Sequence, residues 1–302
     1  MSLGSLVDIL LDETSPAGAL DAAAGGLYDL LAAIRAPQLH DATALPNGTA
    51  LSPADAANCL RDGRRTAVFL RGVNDAIATT RRRFDGPIEI VYAGTGPFAP
   101  LAVPLMPCLA PAEVRFTFID AHAESIDSLT AIVDHLGVRD RVRALVTGDA
   151  ARYRHPVAPH VVIAEVMQRA LSVEPQVAVM RNLALQLALG GVAVPRRVMV
   201  DLAFADPERP SVALRVGRLI NLTAATARRP LPPRQLVMPA VPPGHCAMYA
   251  TRIVAFRRHV LEAFESGLTQ PYFAWQLGRP PEGTRIEFRY VDGPSPGIDF
   301  SS

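Results

Sequence analysis

The sequence predicts an α/β fold: a parallel sheet covered by helices, with helices ahead of it and a β-sandwich or barrel behind it. Three observations carry that expectation. Between about residues 87 and 195, short β-branched or aromatic runs alternate with helical stretches, as in a parallel sheet with helices on both faces. Ahead of this region apolar residues recur at helical spacing. Behind it prolines cluster and the apolar segments shorten into strands between Pro/Gly turns. The 302 residues suit two domains, and 49% hydrophobic against 20% charged residues allows a sizeable core. The expected division is a helical cap over 1–50, an α/β domain over 51–195 and a β domain over 196–302.

In chain order, Leu6, Ile9 and Leu10, then Leu20, Leu27, Leu30, Leu31 and Ile34, predict two short helices split by the turn Ser15-Pro16-Ala17-Gly18. Pro37 to Gly48 reads as a loop. Ser52 as N-cap and Pro53 at the first helical position open a further helix. Arg81-Arg82-Arg83 reads as a solvated helix end. Strands of the sheet are expected at Ile88–Tyr92, Val114–Ile119, Val142–Val146 and Val161–Ile163, with helices at Ser125–Leu136 and Gln176–Leu189. In the β region, strands are expected at Arg197–Phe204, Ser211–Leu219, Arg252–Phe256 and Arg285–Tyr290.

Composition excludes several classes. Thirty basic against 29 acidic side chains leave no surplus for general nucleic-acid binding. Apolar runs are broken by Arg, Asp or Pro before eighteen residues, so no membrane span is expected. Cys59, Cys108 and Cys246 are odd in number and far apart, forming neither a disulfide framework nor a zinc pattern, which favours a reducing compartment. The seven histidines show no metal-ligand spacing. Met1 to Leu11 lacks the basic region of an export signal, and a cytoplasmic location is the expectation.

The chemistry concentrates at strand ends. Ile88 to Phe98 is a strand passing into the turn Gly94-Thr95-Gly96, where the absence of Cβ atoms would let a ligand approach the backbone. Asp120 ends the next strand, where a carboxylate can accept both ribose hydroxyls of an adenosine. Gly148-Asp149-Ala150 ends the third, where a short acceptor can read an adenine amino group. Alone, the glycines are a tight turn and each aspartate a helix cap. Together, on three consecutive strand ends, they point to a nucleoside. Pro97 and Pro100 remove amide donors that a diphosphate would need, so phosphate-free S-adenosylmethionine fits this turn better than a dinucleotide.

From about Ser52 onward the sequence resembles the protein arginine methyltransferase family. Leu60-Arg61-Asp62-Gly63-Arg64-Arg65-Thr66 is similar to its helical segment with an Asp and an Arg-Thr, and Val91 to Gly96 to its glycine motif, with Tyr92 where the first Gly is expected. Val161 to Met167 resembles the strand leading into the family's double-glutamate loop, with Glu174 nine positions after Glu165. Gly190 to Pro195 resembles the following strand. The resemblance implies a Rossmann-like class I methyltransferase sheet with a C-terminal β-barrel. It also implies a cofactor site of Arg65 (on the carboxylate of the methionine moiety), Tyr92, Gly94, Gly96, Asp120, Asp149, Ala150 and Glu165. Glu165 and Glu174 would hold the acceptor, since paired carboxylates grip a planar guanidinium by charge-assisted hydrogen bonds.

The sequence departs from the family in places. Val166 to Val173 lacks its Trp, Gly and aromatic residues, and Arg169 offers a cation that would neutralise a carboxylate. Thr269 to Gln276, with Trp275, echoes its Thr-His-Trp loop, and His122 is a candidate for the pocket wall. No helical arm for the family's ring-shaped dimer and no acidic peptide-binding surface is evident, although a homodimer remains a possible assembly. The expected substrate is therefore a small molecule with a guanidino or amine group. A second reading keeps the cofactor but attacks another carbon of the sulfonium, giving azetidine-2-carboxylate or aminocarboxypropyl transfer with release of methylthioadenosine. Gly94-Thr95-Gly96-Pro97 is similar to the turn of nicotianamine synthases, and Tyr92 beside the sulfonium would bias which carbon reacts. A third reading is a catalytically silent binding module.

Overall fold

The computed structural model of the chain describes residues 1–210 and 213–301. It opens with α1 (Leu3–Leu11) and α2 (Ala17–Ile34), separated at the expected turn. The second is not short. Its 18 residues have a mean hydropathy of 1.3, enough by length and composition to cross a membrane, although Asp21 and Asp29 interrupt its apolar run as the sequence reading has it. Much of that value comes from alanine, which fills the exposed face as well as the buried one. Its Leu20, Leu27 and Leu31 are buried in the core. The segment expected as a loop contains a small hairpin, β1 (Thr43–Leu45) and β2 (Gly48–Ala50), turned by Pro46-Asn47. α3 (Pro53–Asn58) starts as expected, the Ser52 hydroxyl accepting from the Asp55 N–H at 3.1 Å.

The long helix α4 (Gly63–Arg81) links the cap to the sheet. Buried Arg71 reaches from it to the end of α1, donating to the Leu10 and Asp12 carbonyls at 2.8 Å each. A guanidinium there satisfies carbonyls that a helix end leaves orphaned. The helix ends at Arg81, and Arg81, Arg82 and Arg83 are exposed.

Next come β3 (Ile88–Ala93), β4 (Val114–Asp120), α5 (Ala123–His135), β5 (Val142–Thr147), β6 (Val161–Ala164), α6 (Gln176–Ala184) and β7 (Val192–Val194). The five strands form one parallel sheet in the order β5-β4-β3-β6-β7. Every residue of β3 is buried, the near-continuous apolar run that a central parallel strand requires. The chain leaves β3 towards β4 and returns on its other side as β6, so the carboxyl ends of β3, β4 and β6 flank a topological switch point. α6 stops at Ala184 rather than Leu189. Leu185 is largely exposed and Leu189 fully so; the apolar pattern that suggested a longer helix has nothing to pack against there.

The β region comprises β8 (Arg197–Ala205), β9 (Ala213–Leu222), β10 (Arg234–Val237), β11 (Cys246–Phe256), β12 (His259–Leu261), β13 (Tyr272–Phe273), β14 (Arg285–Val291) and β15 (Gly297–Ser301). One antiparallel sheet runs β12-β11-β8-β9, with β13 on β11; a second runs β10-β14-β15. Leu219 and Ile220 of the first share the core with Ile286 and Phe288 of the second. Ser211, the expected start of the β9 strand, lies outside the described residues. β11 begins six residues earlier than expected, because its pairing with β8 runs back to Cys246, opposite Ala205.

Candidate active site

The carboxyl ends of β3, β4, β5 and β6 converge on a cavity of about 440 Å³. Arg65, Tyr92, Gly94, Gly96, Asp120, Asp149, Ala150, Glu165 and Glu174 all line it, so the fold brings together every site residue expected from the sequence.

At one end lie the two aspartates. Asp120, at the tip of β4, accepts the Gly96 N–H at 2.8 Å on one oxygen and the His122 N–H at 3.0 Å on the other. Asp149 accepts the Ala151 N–H at 2.8 Å through Oδ1, while its buried Oδ2 has no partner among the described residues. The buried Thr95 hydroxyl between the two glycines is likewise unpartnered. An unsatisfied buried polar group costs about 1–3 kcal/mol, so such atoms mark where ligand groups belong. His122, a candidate for the pocket wall, does not line the cavity. It is buried, with Nδ1 3.5 Å from Asp120 Oδ1. Gly94 also has a different reason from the one expected. Its φ is +72°, and a Cβ there would overlap a Val166 methyl group, so the missing side chain admits the β6 loop rather than a ligand.

At the other end Arg65 projects from the first turn of α4. Asp62 caps that helix, accepting the Arg65 N–H at 2.9 Å and, through its second oxygen, the Gly267 N–H at 2.9 Å. The Arg65 guanidinium donates to Glu165 Oε2, and Glu165 Oε1 is buried without a partner among the described residues. Arg169, expected as a possible neutralising cation, is exposed and forms no ion pair among the described residues; Arg65 pairs with Glu165 instead. Burial opposes the charge on Arg65, but the Glu165 carboxylate keeps its guanidinium above the ordinary value. Burial raises the Glu165 carboxyl against the pull of Arg65. Glu174 is pushed up to about 8, first by burial and then by the neighbouring charge of Glu165.

That shift has a sign. A carboxyl protonated in the fold but ionised when unfolded makes the native state bind more protons, so stability falls as pH rises from about 4.5 towards 8. Glu174→Gln removes this term. Its stability is expected to match the parent near pH 5 and exceed it near pH 8, by a few kcal/mol at most, with a higher thermal midpoint there. Parallel melting curves across that range check it, and equal midpoints at pH 8 would contradict a protonated Glu174.

The loop carrying the glutamates is held in an unusual shape. Ala170, Leu171 and Val173 have φ values of 58°, 57° and 68°, conformations that cost about 1–3 kcal/mol each without glycine. Several contacts fix it. The Ala170 N–H donates to Thr251 Oγ1 (3.1 Å), the Tyr290 hydroxyl to the Leu171 carbonyl (3.0 Å), and the Val173 N–H to the Pro296 carbonyl (3.1 Å). On the opposite side the Thr49 N–H of β2 donates to the Val173 carbonyl at 2.8 Å. A Cβ on Gly48, whose φ is +142°, would lie 2.6 Å from that same carbonyl.

Sequence reasoning missed several wall residues. Leu45, Ala50 and Leu51 of the hairpin region, Cys59, Gln168, and the Gly267-Leu268 pair all line the cavity. Leu45-Pro46-Asn47-Gly48 carried a turn signal that announced the hairpin; nothing local announced Gly267. Trp275, expected as core or pocket wall, is 61% exposed and stacks on Phe273 at 5.2 Å.

The parallel sheet, its switch-point cavity and the appended antiparallel sheets define the Rossmann-like fold of class I methyltransferases with a C-terminal β domain. The chain is similar in fold to a solved structure from Trypanosoma brucei, the PRMT1 enzyme–prozyme heterotetrameric complex with AdoHcy. The TM-score is 0.52 and the identity 14%, over 81% of this chain and 92% of that one. No family model and no curated protein matches the sequence.

Proposed function

We propose that the protein is an S-adenosylmethionine-dependent transferase, an N-methyltransferase acting on a guanidino or amine group of a small metabolite. One observation carries this reading: a single cavity at the switch point holds Asp120 and Asp149 at one end and Arg65, Glu165 and Glu174 at the other, with buried acceptor atoms still unpartnered on Asp149 and Glu165. Those atoms fit the cofactor's donors. Asp120 retains lone pairs for ribose hydroxyls, Asp149 Oδ2 suits an amino group, and Arg65 suits a carboxylate. The bound cofactor would supply an electrophilic methyl group on a sulfonium.

The residues themselves do the positioning. Glu165 and Glu174 orient the acceptor nitrogen so that its lone pair forms the new N–C bond as the C–S bond breaks, its electrons returning to sulfur. The acceptor's proton passes to the ionised form of Glu174, which is populated as pH approaches about 8, so transfer to a neutral acceptor should rise towards that pH. Leu45, Leu51 and Leu268 keep the walls apolar, strengthening each charge interaction inside. A hairpin seated on the glutamate loop supports a small acceptor. By analogy with the oligomeric T. brucei complex, a homodimer is the assembly we propose.

A second reading is favoured by Tyr92. This fully buried phenol forms cavity wall at the glycine turn, close enough to Glu165 for that carboxylate to raise its pKa, after burial itself. Such bulk would press the amino-acid arm into a bent form. The arm's own amine would then attack its γ-carbon, breaking that carbon's bond to sulfur and releasing methylthioadenosine and azetidine-2-carboxylate. Product analysis separates the two. Methyl transfer requires an added amine or guanidine and yields S-adenosylhomocysteine; methylthioadenosine without an acceptor would overturn it and support the second reading. Absence of both products, with no heat on titrating S-adenosylhomocysteine, would overturn both.

Asp120→Ala is expected to weaken S-adenosylhomocysteine binding by about 1.5–3 kcal/mol, the scale of hydrogen bonds to a charged group. Calorimetry checks this, and an unchanged affinity would remove Asp120 from the cofactor site.

A further inference from the structure

Gln176 is fully buried, yet its side chain makes two hydrogen bonds, and both go to backbone on either side of Glu165. Its Nε2 donates to the Ala164 carbonyl at 2.8 Å, and its Oε1 accepts the Val166 N–H at 3.0 Å. These groups need a partner. β6 ends at Ala164, and its neighbour β7 ends at Val194, opposite Ile163. The next residue, Pro195, has no N–H with which to extend the ladder. The Gln176 amide, one donor and one acceptor on a planar head, substitutes for the missing strand residue.

The same residue is the first of α6, two positions after Glu174, and its own N–H donates to the Glu174 carbonyl at 3.0 Å. It is thus tied to both glutamates, to one through the side chain and to the other through the main chain. Val166 is confined from the other side, where its methyl occupies the space that a Cβ on Gly94 would need. We infer that Gln176 is the positioning residue that sets the separation of the two carboxylates, fixing the acceptor half of the cavity independently of the cofactor half. The inference rests on the reading of Glu165 and Glu174 as the acceptor clamp, but the link itself is a property of the backbone.

The chemistry of the link specifies its variants. Gln176→Leu keeps the volume but supplies neither hydrogen bond, leaving the Ala164 carbonyl and the Val166 N–H unpaired in the interior. Gln176→Met likewise supplies neither hydrogen bond but has a more flexible side chain, and serves as the milder variant should the leucine protein fail to fold. The test combines amide hydrogen exchange, S-adenosylhomocysteine calorimetry, and methyl transfer to n-propylguanidine and n-propylamine. Expected results are a tenfold or greater acceleration of exchange at Val166, unchanged protection at Gly96 and His122, and cofactor-product affinity within twofold of the parent. Transfer to either acceptor should fall at least a hundredfold in kcat/KM for the acceptor, with the KM for S-adenosylmethionine unmoved. A merely structural role would instead loosen Gly96 and weaken the cofactor in parallel, which would overturn the inference. Unaltered exchange at Val166 would overturn it whatever the protein catalyses. If the parent transfers no methyl group but Val166 still loosens selectively in the variant, the functional reading fails while the positioning link stands.

Discussion

Glu165→Gln should abolish turnover while leaving the cofactor end of the cavity competent. The substitution removes the charge that Arg65 pairs with, and a buried guanidinium stripped of its counter-ion costs about 3 kcal/mol, so the denaturant midpoint is expected to drop clearly. Acceptor transfer should fall on the order of 10³-fold, because positioning and electrostatic complementarity are both lost. Affinity for S-adenosylhomocysteine should stay level or improve, since Arg65 no longer has an internal carboxylate competing for it. Calorimetry, equilibrium unfolding and a transfer assay on one preparation check all three. Undiminished transfer would reject the guanidinium-clamp assignment. A collapse of cofactor affinity would show that Glu165 serves the cofactor more than the acceptor.

Gly94→Ala should damage both the fold and the site. The backbone there is left-handed, and the added carbon would overlap Val166. Strain and overpacking together are expected to cost roughly 3 kcal/mol. Turning or moving Val166 to relieve the overlap disturbs the loop that carries Glu165, so affinity for S-adenosylhomocysteine and turnover should fall together. Gly94→Ala/Val166→Ala opens the space and should recover part of the loss but not the strain of the left-handed backbone. A double-mutant cycle of unfolding free energies measures that coupling. Strict additivity would show that the two residues do not share the space.

Much of this architecture is legible in the amino-acid order, for reasons that differ from element to element. Central strands such as Ile88–Ala93 are buried on both faces, so their apolar runs read directly. Ser52-Pro53 announces α3 because capping is local chemistry. Asp120 and Asp149 are legible because each stands at a strand end that the sequence marks, whereas Glu165 and Glu174 are legible through the resemblance to the double-glutamate loop and their nine-residue spacing. The apolar tail beyond Ala184 misled, since Leu189 continues the helical pattern with no surface to cover. The links that Gln176 and Asp62 make stayed hidden for another reason, although Asp62 itself stands in the segment that carries the resemblance. Their partners are main-chain groups at Ala164, Val166 and Gly267, and main-chain hydrogen bonds leave no trace in residue identity. The Arg65–Glu165 pair spans 100 positions and depends on how α4 approaches β6. The cavity's apolar wall was missed because Leu45 and Leu268 come from segments far apart in sequence.

Thr251, Tyr290 and Pro296 hold the glutamate loop from the C-terminal β region, whereas the two aspartates receive their hydrogen bonds from loops at the carboxyl ends of the parallel strands. Drift in the C-terminal third of the chain would therefore retune which acceptor is admitted, without disturbing recognition of the adenosine. A lineage built on this plan could diversify its products by editing the appended strands alone, and a library randomised there should yield altered acceptor preference at constant cofactor affinity.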